Sequence, residues 1–172
     1  SSDVCSSDLN LPYYITTPII MKLLEQKLPI KRIVVMVQKE VAERMVAEPG
    51  HKIYGALSVS VQYYTQPQML FEISPKCFMP APEVTSAVVA MDVRQQPPVD
   101  LIDEKRFFQV VKAAFQQRRK TFSNALKNTG MSKEQIAQVL EKTGIDGKRR
   151  GETLSLQEFA DIANAWSEII RG

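Results

Sequence analysis

A short apolar run, Ile33-Val-Val-Met-Val37, lies between two segments of helical periodicity and constrains the fold more than any other stretch of the chain. An unbroken apolar run rich in β-branched residues is typical of a strand buried on both faces of a sheet, so residues 31–38 are predicted to form one. Before it, Thr17 and Pro18 predict a helix cap and first turn, followed by apolar residues at helical spacing. After it, residues 39–47 return to helical spacing. Helix, strand, helix is the alternation of an α/β fold.

The middle of the chain continues this pattern less clearly. Residues 68–74 and 85–94 are predicted to be two further strands. The periodicity of residues 56–64 does not decide between helix and strand. A connection held extended by prolines joins the two predicted strands, and its prolines are Pro75, Pro80 and Pro82.

Residues 94–100, Arg-Gln-Gln-Pro-Pro-Val-Asp, form the most linker-like stretch, and the composition changes across it. We therefore predict a domain boundary there, with one domain over residues 10–95 and a second over residues 96–172. The second domain is predicted to be all helical, because Asp103 begins a helix with an apolar face. Three further helical segments follow, around residues 122–126, 136–140 and 156–170.

A tetrapeptide near the start, Asn10-Leu-Pro-Tyr13, has the composition of a site for a flat base. The lone pair of adenine's exocyclic amine is delocalised into the ring, and two acceptors on the amine hydrogens would make it available for methylation. The side-chain carbonyl of Asn10 and the backbone carbonyl of Pro12 are candidate acceptors, because proline fixes the local backbone. Tyr13 offers a face for stacking. The same residues also suit an ordinary turn before a helix.

Phe78 lies in the proline-rich connection, where it has no obvious position in a core. A ring held there is a candidate for sandwiching a flipped base against Tyr13. An ordinary aromatic side chain buried beneath a loop is the alternative.

Basic residues are concentrated in the C-terminal third. Residues 1–99 contain 9 Lys and Arg and 9 Asp and Glu, whereas residues 105–150 contain 12 Lys and Arg and only 3 acidic residues. This concentration predicts a surface for a phosphate backbone, with a solvated helical surface as the alternative. The candidate RNA contacts form two clusters and one loop position: Arg118, Arg119 and Lys120; Lys148, Arg149 and Arg150; and Lys52.

Five motifs, in this order, resemble those of the ribosomal RNA adenine dimethyltransferase family of the KsgA type. They are Asn10-Leu-Pro-Tyr-Tyr-Ile15, Gln38-Lys-Glu-Val-Ala-Glu-Arg44, Pro49-Gly-His-Lys-Ile-Tyr-Gly-Ala-Leu-Ser58, Phe78-Met-Pro-Ala-Pro-Glu-Val-Thr-Ser86 and Phe115-Gln-Gln-Arg-Arg-Lys-Thr121. The resemblance runs from about residue 10 to the C-terminus. It implies the C-terminal half of a Rossmann-like, doubly wound methyltransferase domain followed by a small all-helical RNA-binding domain. It also implies a helix over residues 56–64.

By the same resemblance, the parent enzyme uses S-adenosylmethionine to dimethylate two adjacent adenines in a hairpin loop of small-subunit (16S) ribosomal RNA. The family's matching phenylalanine belongs to the target-base pocket, which gives Phe78 that role, and Asn10 is the one methyl-donor contact that the resemblance supplies. The glycine-rich turn and acidic residues of such a donor site are expected upstream, so we expect a C-terminal fragment that is inactive alone. Residues 1–9, a near-repeat of Ser-Ser-Asp, are predicted to be a non-native or artefactual lead-in.

Two other functions remain open at this point. One is a large-subunit ribosomal RNA adenine methylase of the antibiotic-resistance type, and the other is a non-catalytic module for RNA binding or ribosome assembly. Metal chemistry is not expected, because the chain's only cysteines and histidine are Cys5, Cys77 and His51. Its apolar runs are too short to span a bilayer. From the family resemblance we expect a cytoplasmic protein, monomeric when full length, whose partner is the RNA of the assembling small ribosomal subunit.

Overall fold

A computed structural model describes the backbone of residues 13–172 and the side chains of residues 16–172. Asn10, Pro12 and the predicted lead-in over residues 1–9 lie outside the described residues, as does the side chain of Tyr13. Within residues 13–172, no helix combines the length and the apolar composition needed to cross a bilayer. The same residues contain no group of three or more His, Cys, Asp or Glu side chains arranged to hold a metal ion.

The first helix, α1 (Tyr13–Glu25), begins four residues before its predicted cap. Thr17 and Pro18 lie inside the helix, so the prediction that they form its cap and first position was wrong. Thr16, in the turn before the predicted start, is only 6% exposed. Packing of that turn outweighs the capping signal of Thr17 and the backbone hydrogen bond that Pro18 cannot make.

Three strands, β1 (Arg32–Gln38), β2 (Thr65–Ile73) and β3 (Ser86–Val93), form one sheet in the order β1-β3-β2. All three were predicted, with ends that differ by at most three residues. The prediction that β1 is buried on both faces was wrong: Val37 is its one fully buried residue, and Val34 is 56% exposed. The central strand β3 is antiparallel to both neighbours, so β1 and β2 run in the same direction.

One end of the sheet brings three chain segments together. Gln38 at the end of β1 and Ile73 at the end of β2 both lie opposite Ser86 at the start of β3. The connection over residues 74–85 and the first turn of the next helix therefore leave the sheet at the same level. Further along β2, a bulge between Met69 and Phe71 interrupts the pairing.

Two helices follow β1. Helix α2 (Lys39–Val46) begins directly at the end of the strand, and α3 (Ala56–Tyr64) confirms the helix that the family resemblance implied. The side-chain amide of Gln62 donates to the carbonyls of Met45 at 3.1 Å and Ala47 at 2.7 Å. These bonds fasten α3 to the end of α2.

The second half of the chain is helical, as predicted. It contains α4 (Glu104–Gln116), α5 (Phe122–Ala125), α6 (Lys133–Thr143) and α7 (Leu156–Arg171). Asp103 caps α4 by accepting from the N–H of Lys105 at 2.9 Å. Ser132 and Ser155 begin α6 and α7 with reciprocal capping bonds. Short 3-10 turns occupy Pro75–Cys77, Leu126–Thr129 and Gly151–Thr153.

Two apolar cores stabilise the fold, and α3 belongs to both. The first core lies between the sheet and helices α1–α3, and it buries Ile20, Leu24, Val37, Met45, Val61 and Met91. The second core lies among helices α4–α7, and it buries Phe107, Phe122, Leu126, Leu154 and Phe159 together with Tyr54, Val59 and Tyr63. Packing is thus continuous across the predicted boundary, because Tyr54, Val59 and Tyr63 precede it in the chain.

Phe107→Ala is expected to lower the free energy of unfolding by about 3–5 kcal/mol, because a cavity would replace a fully buried ring. Phe71→Ala is the matched control: Phe71 is 56% exposed, so we expect a change within about 0.5 kcal/mol. Urea denaturation followed by circular dichroism measures both. Equal losses for the two variants would contradict the position of Phe107 in the second core.

Candidate nucleic-acid interface and base site

The three basic segments of the sequence lie together in the structure. They belong to loops over residues 48–55, 117–121 and 146–153, which we call the three-loop surface. The Gly50 N–H donates to the carbonyl of Glu152 at 2.7 Å, and the Phe122 N–H donates to the carbonyl of Arg149 at 2.7 Å. Sequence reasoning predicted the basic clusters, and the fold brings them to one place.

Glycine permits the close packing of this surface onto α4. A Cβ atom on Gly151 would lie 2.8 Å from the Ala114 Cβ and 2.9 Å from the Ala114 carbonyl oxygen. Contacts this short with backbone atoms exclude any larger residue unless the loop moves. The loop over residues 146–153 is therefore fixed against the helix that leads into residues 117–121.

Arg149 is half-buried and forms hydrogen bonds with Thr153 and Glu158. Its Nη2 donates to the Thr153 carbonyl at 2.7 Å and to a Glu158 carboxylate oxygen at 3.1 Å, while its Nε donates to the Thr153 hydroxyl at 3.2 Å. Its Nη1 donates to the other Glu158 oxygen. The hydrogen bond from Arg149 holds the pKa of Glu158 below its ordinary value. Among the predicted RNA contacts, Arg149 keeps the fewest donors for a phosphate.

Arg118 is exposed, yet it also has partners within the chain. Its Nη2 donates to the Tyr54 carbonyl at 2.8 Å and its Nη1 to the Lys52 carbonyl at 3.2 Å. The guanidinium carbon lies 6.0 Å from the centre of the Phe115 ring. The guanidinium thus bridges two of the loops of the three-loop surface.

Five predicted RNA contacts remain exposed and, among the described residues, form no ion pair within 4 Å; they are Lys52, Arg119, Lys120, Lys148 and Arg150. The three loops together contain seven Lys and Arg residues against three acidic residues, Glu48, Asp146 and Glu152, so the surface has a net positive charge and a positive potential. Such a surface attracts a polyanion in a way that scattered cations do not.

Phe78, the predicted base-stacking residue, lies at the end of the sheet where the three segments meet. It follows the 3-10 turn Pro75–Cys77 and is half-buried. It belongs to neither apolar core. Its predicted stacking role stays a prediction, and the partner ring proposed for it, Tyr13, begins α1 with a side chain outside the described part of the chain.

An ion pair beside this connection was missed by sequence reasoning. The Lys39 ammonium lies 3.1 Å from a Glu72 carboxylate oxygen, between the first residue of α2 and the end of β2. Lys39 also lines an open cavity of about 300 Å³, whose other walls are Gln38, Glu40, Glu43, Val84 and Thr85. The available signal was the motif Gln38-Lys-Glu directly after a predicted strand, which marks the position where α/β folds collect ligands.

A family model described as ribosomal RNA adenine dimethylase matches residues 9–168. The chain belongs to this family. A relative from Geobacillus sp. (strain WCH70), named ribosomal RNA small subunit methyltransferase A, is 53% identical over 165 residues, which are 94% of this chain and 57% of the relative. A relative of the same name from Geobacillus kaustophilus (strain HTA426) is 55% identical over 160 residues, which are 91% of this chain and 55% of the relative. The chain therefore spans little more than half the length of these dimethylase-family proteins.

Two solved structures share the fold of this family member. A dimethyladenosine transferase from Plasmodium falciparum matches with a TM-score of 0.75 at 21% identity, over 94% of this chain and 69% of that one. The 23S ribosomal RNA methyltransferase ErmE matches with a TM-score of 0.65 at 18% identity, over 91% of this chain and 63% of that one. The predicted family and the predicted fold, the C-terminal part of a methyltransferase domain followed by helices, are confirmed.

Glu158→Gln is expected to destabilise the chain near neutral pH and to have less effect in acid. A carboxylate with a lowered pKa stabilises the fold above its ordinary pKa, and this contribution is lost as the pH falls through the folded-state value. The difference in unfolding free energy between the two proteins should therefore shrink between about pH 5 and pH 3.

The control for this titration is Glu83→Gln, an exposed side chain in the connection over residues 74–85 without an ion pair among the described residues. Its effect should be small at every pH. A Glu158→Gln deficit that stays constant down to acid pH would contradict the importance of the Arg149–Glu158 pair.

Proposed function

We propose that this chain acts in the S-adenosylmethionine-dependent dimethylation of two adjacent adenines in a hairpin loop of small-subunit ribosomal RNA. The observation that carries the proposal is the three-loop surface, where five exposed cations from three separate segments lie together in a member of the adenine dimethylase family. Relatives at 53% and 55% identity with small-subunit names favour the small subunit over the large one.

The three-loop surface would bind the RNA backbone. Lysine and arginine bind phosphates by charge and by hydrogen bonds, and both contributions are independent of sequence. Double-stranded RNA is recognised mainly by its shape and its backbone, so a rigid arrangement of cations suits a hairpin stem. Backbone hydrogen bonds and the Gly151 contact supply this rigidity.

The target adenine would bind where the connection over residues 74–85 leaves the sheet. Phe78 supports this position because its ring is half-buried and lies outside both cores. Tyr13 would stack on the other face of the base, while the Asn10 side chain and the Pro12 carbonyl would accept hydrogen bonds from the amine. Both acceptors precede α1 directly in the sequence.

The methyl group would come from S-adenosylmethionine, whose sulfonium makes it a good electrophile. Asn10 is the contact to this donor that the family resemblance assigns. Within residues 13–172 no glycine-rich turn joins a strand to a helix, so no further donor contact is assigned to the described residues. The role of the described residues is to orient the RNA and the base.

Replacing Arg119 and Lys120 together by alanine should weaken binding to an RNA hairpin and flatten its salt dependence. Each phosphate contact contributes roughly 0.7–0.9 to the slope of log affinity against log salt concentration. The double variant should therefore lose about 1.5 from the slope. Fluorescence anisotropy with a labelled hairpin at several salt concentrations measures it.

The charge-matched control replaces Lys105 and Lys133, which lie in the first turns of α4 and α6, at the helix ends away from the three-loop surface. Its slope should equal that of the unsubstituted chain. Equal slopes for both double variants would mean that the three-loop surface does not contact the RNA backbone.

Asn10→Ala should reduce turnover by about a hundredfold or more while leaving RNA affinity near normal, because its bond to the amine strengthens as the nitrogen becomes tetrahedral. Phe78→Leu should instead weaken both, since stacking on an aromatic ring contributes roughly 1–3 kcal/mol per base. Methyl incorporation and RNA binding would be measured in a chain extended to the length of the relatives. Normal turnover by Asn10→Ala would refute the proposed base site.

A further inference from the structure

The Arg118 guanidinium binds two backbone carbonyls of the loop that carries Lys52. Its two Nη atoms donate to the carbonyls of Lys52 and Tyr54, two residues apart, at 3.2 Å and 2.8 Å. A planar guanidinium with several fixed donors matches two carbonyls at this spacing, whereas an ammonium does not. Both bonds therefore fasten the loop over residues 48–55 to the end of α4.

The missing side chain of Gly55 leaves space for the Arg118 guanidinium. A Cβ atom at position 55 would lie 2.8 Å from the Arg118 Nη2, closer than any ordinary contact. The Gly55 backbone has φ of −160°, an extended conformation that any residue adopts, so a larger residue at this position would be accommodated by moving the guanidinium away from the two carbonyls. The Tyr54 ring beside it is fully buried and packs edge-on against Phe115, with ring centres 5.9 Å apart.

Within the loop, the His51 N–H donates to the Glu48 carbonyl at 3.3 Å and the Tyr54 N–H to the His51 carbonyl at 3.0 Å, so Lys52 lies in a closed turn whose attachment to the rest of the protein is a separate matter. One backbone bond, from Gly50 to Glu152, fastens the beginning of the loop, and the Lys52 side chain itself is exposed. Without the Arg118 bonds, the segment between Gly50 and the buried Tyr54 would lose its connection to the 117–121 loop. The turn that carries Lys52 would then no longer be bonded to the loop that carries Arg119 and Lys120.

We propose that Arg118 is a positioning residue: it holds the 48–55 loop so that Lys52 binds an RNA phosphate together with Arg119 and Lys120, and it does not itself act as a phosphate ligand. The proposal rests on the proposed function, because it assumes that the three-loop surface binds RNA. It assigns different roles to two adjacent arginines of one motif: Arg118 binds the protein backbone, and Arg119 binds the RNA.

The test replaces Arg118 by lysine, which keeps the charge and loses the two-carbonyl geometry. Arg118→Lys should increase hydrogen exchange at the amides of residues 51–55 in the free chain. It should also reduce the salt slope of hairpin binding by about as much as Lys52→Ala does. Arg171→Lys, an exposed arginine at the end of α7, is the matched control and should change neither quantity.

A double-mutant cycle with Lys52→Ala shows whether Arg118 acts through Lys52. In the Lys52→Ala background, Arg118→Lys should cost no further RNA affinity. An equal loss of RNA affinity in both backgrounds would overturn the positioning role and indicate a direct phosphate contact by Arg118. Normal RNA binding by Arg118→Lys would also overturn it and indicate that Arg118 has no part in binding.

Hydrogen exchange separates failure of this inference from failure of the proposed function. Unchanged exchange at residues 51–55 in Arg118→Lys would overturn the inference whether or not the chain binds RNA. If exchange increases but the unsubstituted chain does not bind the hairpin, the proposed function fails and the positioning role fails with it, while the attachment of the loop stands.

Discussion

The packing of α3 between two cores is the constraint on which the rest of the structure depends. Val61 lies in the core beneath the sheet, whereas Val59 and Tyr63 lie in the helical core. The loop before α3 carries Lys52, and the strand after it leads to the connection that carries Phe78. One helix therefore sets the positions of the loop proposed to bind phosphate and of the connection proposed to bind the base, so the two parts of the proposed RNA site share a common frame.

Two arginines of the three-loop surface form hydrogen bonds within the protein, whereas the neighbouring basic side chains do not. Arg149 forms a bidentate pair with Glu158 at the N-terminus of α7, and Arg118 bonds backbone carbonyls. Arginine serves these positions because several donors in one plane satisfy several acceptors at once. The neighbouring cations have no such partners among the described residues, so solvent and nucleic acid can compete for them. In this arrangement, the hydrogen bonds of Arg118 and Arg149 fix the loops that carry the other basic side chains.

Local signals in the sequence predicted most of the secondary structure. The apolar run at residues 33–37, the cap at Asp103 and the helical segments of the second half were all recognisable because each depends on neighbouring residues alone. The early start of α1 was missed because burial of Thr16 depends on distant packing. For the same reason the sequence predicted which residues are basic, but not that Gly50 bonds Glu152 or that Lys39 pairs with Glu72. The family resemblance, which carries information about three-dimensional contacts, decided the helix at residues 56–64 where periodicity did not.

The bulge in β2 gives the two outer strands of the sheet different capacities to accept another strand. β2 carries the bulge at Met69–Phe71, a proline at position 67 and the charged Glu72, and each of these hinders pairing along its open side. β1 has an uninterrupted apolar run from Ile33 to Val37 and neither proline nor bulge. Extension of the sheet is consequently directional: β1 can template a further strand, while β2 terminates the sheet.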